Sequence, residues 1–293
     1  VPVVVHTLHS LVYHEYQEPW KNRLYIALKR LCAPLTDVLI SVNDRTREGA
    51  LAHAIGSSEQ HVTIYSGMDL DPFLSVSGRL SVAQAKERLG IPSEAPVVGK
   101  IARLFPLKGH EQFLDAAEVI AAREPKAWFL LVGNGVLREA LEERTRRIGI
   151  ADRTVFAGLV APEDVPAHIQ AMDVVVHTSL REGIARVLPQ AGAVGKPVVT
   201  FDLDGAPEVI REGLSGHLVP PRDTHRLAER VLELFADPDR CQRYGAEGRS
   251  FAVAHFDAAT MVAKINEVYA GALQRRQRQR VWGVASGGRA RSR

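Results

Sequence analysis

The sequence has only two cysteines, Cys32 and Cys241, in 293 residues, with no Cys-x-x-Cys pair and no Cys/His cluster. That excludes a disulfide scaffold and a structural zinc site and fits a reducing compartment. No run of eighteen apolar residues occurs, since the longest are strand-sized pieces such as Trp128–Val132, so a membrane-spanning helix is excluded. No Gly-x-Ser-x-Gly elbow, His-Glu-x-x-His pair or Walker loop is found, which removes the hardware of serine hydrolases, zincins and P-loop enzymes. An initiator Met and a basic leader are both missing ahead of Val1-Pro2-Val3-Val4-Val5, so the chain reads as starting inside a domain.

What is present is a globular composition. With 46% hydrophobic and 24% charged residues the chain is too apolar to be disordered, and its length calls for two folded units. The formal charge of +3 misleads, because residues 274–293 hold seven arginines and no acid, which leaves the remainder at +3 − 7 = −4. A nucleic-acid-binding face is therefore not implied. Residues 274–293 read as a basic disordered tail, with attraction to anionic lipid or nucleic acid as the other reading.

From Val97 onward, Val-rich strand patterns alternate with helical patterns: Val97–Ala102, Trp128–Val132, Thr154–Phe156, Val174–His177, Pro197–Phe201 and His217–Val219. Such alternation predicts a parallel sheet covered on both faces, a doubly wound domain over residues 97–250. Residues 1–75 repeat the grammar more briefly through Val3–Thr7, Val38–Ser41 and Val62–Tyr65, as the later part of a second such domain. Residues 76–96, punctuated by Gly78, Gly90, Pro92 and Pro96, suit a connector. Over 251–273, Met261, Val262, Ile265, Val268 and Tyr269 form the stripe of a helix expected to pack back on the first domain. A second stripe, Trp20, Leu24, Leu28 and Leu31, is accompanied by Lys21, Arg23, Lys29 and Arg30. It suits either core packing or peripheral contact with the inner face of a membrane.

Several segments could carry chemistry. Arg103 and Lys108 lie beyond the end of the Val97–Ala102 strand, at the sheet edge where open parallel sheets bind ligands. Together they could clamp a diphosphate, or they could be two solvated cations. Glu182-Gly183-Ile184 follows the Val174–His177 strand and is expected to open a helix, whose free N–H groups and dipole suit a phosphate. Glu182 would then accept from sugar hydroxyls or act only as a first-turn dipole partner. Gln190, eight positions on, is expected on the same side of that helix. Gly133-Asn134-Gly135 resembles a dinucleotide fingerprint, but Arg138 stands where a small residue is needed. Asp202 and Asp204 could hold a divalent metal on a diphosphate, or merely make a turn. His9, at a strand end, could face a substrate hydroxyl or be structural.

In order, these pieces resemble glycosyltransferase family 4, through Val3-Val4-Val5-His6-Thr7-Leu8-His9, Ser66-Gly67-Met68-Asp69, Ala102 to Gly109, Val132-Gly133-Asn134-Gly135, Phe156-Ala157-Gly158, Ser179 to Gly183, Gly195-Lys196-Pro197 and Asp204 to Val209. The resemblance implies an α/β chain of the GT-B fold, two doubly wound Rossmann-like domains facing a cleft, the first incomplete. It implies retaining transfer of a sugar from a nucleotide-diphosphate donor, UDP- or GDP-linked, to a hydroxyl acceptor, with no metal and no other cofactor, in polysaccharide, glycolipid or other glycoconjugate synthesis. Residue by residue, Arg103, Lys108, Gly183 and Ile184 would hold the diphosphate, Glu182 the sugar hydroxyls and Gln190 the ribose. His9 would face the donor sugar and acceptor. The family's second glutamate is Gln190 here, a weaker acceptor for a ribose hydroxyl.

The expected location is cytoplasmic, at most peripheral to the inner membrane face, with no nucleic-acid partner. Roughly a hundred residues carrying a glycine-rich loop are expected upstream, and this chain alone is expected to be inactive. Two further readings stay open: a metal-dependent transferase built on Asp202 and Asp204, and a nucleotide-sugar-binding module without catalysis.

Overall fold

A computed structural model describes residues 3–287, with side chains to residue 278. The chain divides into two compact units, one formed by residues up to Gly67 together with those from Ala258 onward, the other by Met68–Asp257. The division thus falls near residues 67 and 257, whereas the sequence suggested 75 and 250. Residues 76–96, expected as a connector, belong to the second unit, where Lys86 at the end of the helix Val82–Glu87 is buried.

The first unit has three parallel strands in the order β1 (Val5–Leu8), β2 (Val38–Ser41) and β3 (His61–Thr63). One face carries Val38, Ile40 and Ile64, covered by Met261, Ile265, Val268 and Ala272 of the C-terminal helix Ala258–Gly287. The other packs Leu8, Tyr13, Ala33, Ala50 and Ile55 with Ile26 of the helix Pro19–Cys32. That helix buries no residue fully, and its Trp20, Leu24, Leu28 and Leu31 are all exposed. The stripe joins neither of the two apolar clusters of this unit among the described residues. Ile26 packs on this cluster, and the stripe lies round the other side of the helix.

The C-terminal helix runs to Gly287 where a disordered tail was expected from residue 274. Gln, Arg and Ala are good helix formers, and Arg276 Nε donates to Asp37 Oδ1 at 2.9 Å, fixing the helix beyond Leu273. Residues 288–293, the rest of the expected tail, lie outside the described residues.

The second unit holds six parallel strands: β4 (Val97–Ile101), β5 (Trp128–Val132), β6 (Thr154–Gly158), β7 (Val174–His177), β8 (Val198–Phe201) and β9 (Gly216–Val219). Their order across the sheet is β6-β5-β4-β7-β8-β9. Strand order therefore reverses between β4 and β7, which makes the carboxyl ends of those two strands the switch point of a doubly wound sheet. The strands are Val-, Leu- and Phe-rich because both faces are covered. On one side lie the helices His110–Arg123 and Thr224–Phe235, burying Phe113, Leu114, Leu227 and Val231 with Phe129.

Two further helices, Val187–Val194 and Pro238–Phe256, cross at glycines. A Cβ on Gly245 would lie 2.0 Å from Gly195 O, and one on Gly192 2.7 Å from Gly248 O, so no side chain fits at this crossing.

Candidate active site

Three loops leave the carboxyl ends of adjacent strands and are tied together by hydrogen bonds. The loop after β4 carries Arg103 and Lys108 and ends at Gly109, the N-cap of the helix His110–Arg123. Gly109 has φ of 69°, and a Cβ there would stand 1.7 Å from Thr178 O, so only glycine lets this turn lie on the start of the next loop. The loop after β7 answers with Thr178 Oγ1 donating to Gly109 O at 2.6 Å and Leu180 N donating to Leu107 O at 2.8 Å. From the loop after β8, Asp204 Oδ2 accepts from Glu182 N at 2.6 Å, and Gly205 N donates to Gly183 O at 3.0 Å.

These ties bring Lys108 and Glu182 together, Nζ to Oε1, at 2.5 Å. Ser179 Oγ lies 3.1 Å from the same carboxylate oxygen. Both side chains of the pair keep some exposure, 20% and 28%, so their spare hydrogen-bonding capacity faces outward. Arg103 is exposed, with its guanidinium 5.3 Å from the centre of the Phe105 ring. The backbone oxygen of Arg103 is held by His110 Nε2 at 2.9 Å.

Two geometric expectations need correction. The helix expected to open at Glu182-Gly183-Ile184 begins at Val187, so these residues belong to the preceding loop. Glu182 and Gln190 are therefore not two residues of one helical side, and the eight-residue spacing does not relate them. The loop is held open by Asp204 and Gly205, whose bonds to Glu182 and Gly183 replace the first helical turn. Gln190 is half-buried on the helix itself, Gly183 is buried and Ile184 half-buried. His9 stands in the bend after β1, exposed, in the first unit.

Beneath the pair lies a set of buried bases that the sequence reading did not single out. Lys100, fully buried in β4, donates from Nζ to Thr178 Oγ1 at 2.8 Å. Burial pushes its ammonium down to about 7, partly opposed by the nearby Glu182 carboxylate and reinforced by Lys108. Burial likewise takes His110 down to about 4 and His177 well below the ordinary histidine range, with Lys100 the second cause in both. Neither ring nitrogen of His177 has a hydrogen-bond partner. The available signal was a lysine inside the apolar strand Val97-Val98-Gly99-Lys100-Ile101, since a charge in a strand covered on both faces needs a reason.

Among the described residues, no group of three or more His, Cys, Asp or Glu side chains is placed to hold a metal ion. Asp204, one of the two residues weighed for a metal, holds the Glu182 backbone instead. The fingerprint-like turn at Gly133 packs on the loop after β4, with Leu104 N donating to Asn134 O and Leu137 N to Leu104 O, each at 3.0 Å. Arg138 lies over Phe156 and pairs with Glu142.

Comparison with known proteins agrees with this arrangement. The family model described as glycosyl transferases group 1 matches residues 81–251. A GDP-mannose-dependent alpha-(1-6)-phosphatidylinositol monomannoside mannosyltransferase of Mycobacterium tuberculosis is 32% identical over 243 residues, covering 80% of this chain and 62% of the relative. A D-inositol 3-phosphate glycosyltransferase of Streptomyces scabiei is 32% identical over 241 residues, covering 79% of this chain and 53% of that protein. The chain thus spans less than two thirds of the length of these curated relatives. Among solved structures, Anabaena HepE in complex with UDP-glucose matches with a TM-score of 0.81 and 26% identity, over 92% of this chain and 72% of that one. The six- and three-stranded parallel sheets are those of the GT-B fold. The chain belongs to the glycosyl transferases group 1 family.

Proposed function

We propose that this chain is the donor-binding part of a retaining glycosyltransferase that moves a sugar from a UDP- or GDP-sugar to a hydroxyl acceptor. The observation that carries the proposal is the Lys108–Glu182 pair, brought together at the switch point by loops after β4 and β7. A sugar diphosphate presents anionic oxygens next to neutral hydroxyls, and this site offers an ammonium next to a carboxylate.

On binding, Lys108 exchanges Glu182 for a phosphate oxygen, and Glu182 is released to accept from sugar hydroxyls. Arg103, at the start of the same loop, adds a forked donor. As the glycosidic bond breaks, the leaving diphosphate gains negative charge, and fixed cations lower that barrier in the role a metal ion fills in other transferases. Gly183 and Ile184 supply loop backbone to the phosphates and Gln190 a ribose contact. His9 enters this reading through the family resemblance alone, as the residue facing donor sugar and acceptor. The names of the relatives support either nucleotide, GDP-mannose for the mycobacterial mannosyltransferase and UDP-glucose for HepE. A phosphoinositide-type or other glycolipid acceptor is the corresponding acceptor proposal.

Calorimetric titration of the chain with UDP, GDP and ADP tests the donor site directly. One of UDP or GDP is expected to bind, and Lys108→Ala to weaken it tenfold or more, about 1.4 kcal/mol. Unchanged affinity in a folded Lys108→Ala protein would refute the site.

A further inference from the structure

Lys100 is fully buried in β4, and among the described residues its Nζ has one hydrogen-bond partner, Thr178 Oγ1 at 2.8 Å. An ammonium has three donors, so a charged Lys100 leaves two of them unspent. Its neighbours on the same face of the sheet, Val98 on its own strand and Leu131 beside it on β5, are apolar. The titratable groups that act on it or feel it are Glu182 and Lys108 on the loops above, His110 at the start of the helix His110–Arg123 and His177 at the end of β7. Of these only Glu182 is an acid, and Lys108 already claims it. In the free protein Lys100 is thus a base without a counter-ion of its own, and burial takes its ammonium down to about 7.

A nucleotide-sugar would change that balance. Lys100 is connected to the donor loops, since Thr178 Oγ1 donates to Gly109 O at 2.6 Å and the next residue, Ser179, reaches Glu182 Oε1 at 3.1 Å. While Glu182 and Lys108 are paired, their charges above Lys100 cancel. A diphosphate diester brings about two negative charges to Lys108 and leaves the Glu182 carboxylate in place, so the excess above Lys100 becomes negative. Negative charge close to a buried amine favours its ammonium form. His110 and His177 are held further from neutrality by burial and stay uncharged, which leaves Lys100 as the group poised to change.

We infer that Lys100 is a positioning residue of the donor site, a buried amine that takes up a proton when a diphosphate binds at Lys108 and Glu182 and so supplies a further cation from beneath the loops. This role rests on the donor reading of the Lys108–Glu182 pair and adds a coupled proton to it. By linkage, the proton favours the donor as much as the donor favours the proton, so affinity falls as pH rises through the folded value of Lys100. The charged form also strengthens the bond to Thr178, which ties the loop after β7 to Gly109.

Calorimetric titration of the full-length protein with UDP-glucose or GDP-mannose, in buffers of different ionisation enthalpy, counts the protons exchanged. The diphosphate of a nucleotide-sugar is fully ionised near neutrality, unlike the terminal phosphate of UDP or GDP, so protons taken up belong to the protein. Uptake is expected to be small at about pH 6 and most of a proton at about pH 8, with affinity falling about fivefold to tenfold between them. Lys100→Met, its fold checked by circular dichroism, should abolish the uptake and flatten the affinity, whereas His110→Asn should keep the uptake. Loss of packing or of the Thr178 bond alone would weaken binding equally at every pH. Wild-type binding without proton uptake, or uptake that Lys100→Met leaves unchanged, would overturn the role of Lys100. Absence of nucleotide-sugar binding to the wild-type protein would instead refute the donor site itself, and the proton coupling with it.

Discussion

The strands β4 and β7 carry a lysine–carboxylate pair at each end, and the two pairs are built differently. At the amino edge, Lys86 Nζ donates to Asp173 Oδ2 at 2.8 Å and to Ala95 O at 2.9 Å, and the same Asp173 oxygen accepts from Val97 N at 2.8 Å. The Lys86 side chain is only 6% exposed, so backbone and partner take up its donors. At the carboxyl edge, Lys108 and Glu182 stand on loops, touch each other and Ser179, and keep outward-facing capacity. The first pair closes the start of the sheet. The second is held ready for something from outside. Helix N-termini gather at the carboxyl edge of such a sheet and helix C-termini at the other, which adds a positive field where the anion is expected and a negative one where it is not.

Exchanging roles between the pairs gives the largest expected effects. In the full-length protein, Lys108→Ala or Glu182→Ala should lower initial rates of sugar transfer by at least about a hundredfold, the scale of losing one fixed donor to a developing charge, with an unchanged urea midpoint. Lys86→Met should do the reverse. It should leave nucleotide affinity intact and cost about 2–3 kcal/mol in urea unfolding, below the figure for a fully buried pair because Asp173 is partly solvated. If Lys86→Met abolished nucleotide binding at unchanged stability, the distinction between the two edges would be broken.

Lys100 sharpens the comparison from beneath. Its folded value near 7 lies below the ordinary 10.5, so between those limits the unfolded chain holds a proton that the folded chain does not. Stability should therefore climb as pH rises through that window, and the cost of burying the charge should remain in full below about pH 7. Lys100→Met should flatten the climb and raise stability below neutrality by on the order of 1–3 kcal/mol, as replacing buried ionic groups often does. Denaturant curves at several pH values measure this. The smallest expected effect is that of Gln190→Glu, up to about fivefold tighter nucleotide binding by titration, because a carboxylate accepts more strongly than an amide.

The sheet of the second unit was readable because strands covered on both faces must be continuously apolar, and Val174-Val175-Val176-His177 has no other plausible use. Lys108 and Glu182 were readable as residues following such strands. That they touch was not, since contact depends on Gly109 and on Asp204, which the sequence presents as a metal candidate or a turn. The helix Pro238–Phe256 is masked in the sequence for a related reason. Gly245 and Gly248 look like breakers in one dimension, yet they are the points where another helix presses closest. An amphipathic pattern such as Trp20 to Leu31 states that one side is apolar, not which way that side faces.

The glycine crossing has a further consequence. The helix Val187–Val194 starts where the Glu182 loop ends, so the closeness of its approach to Pro238–Phe256 sets how deep that loop sits. A single methyl group added at Gly245 would act as a spacer between the two helices and shift the Glu182 loop from behind.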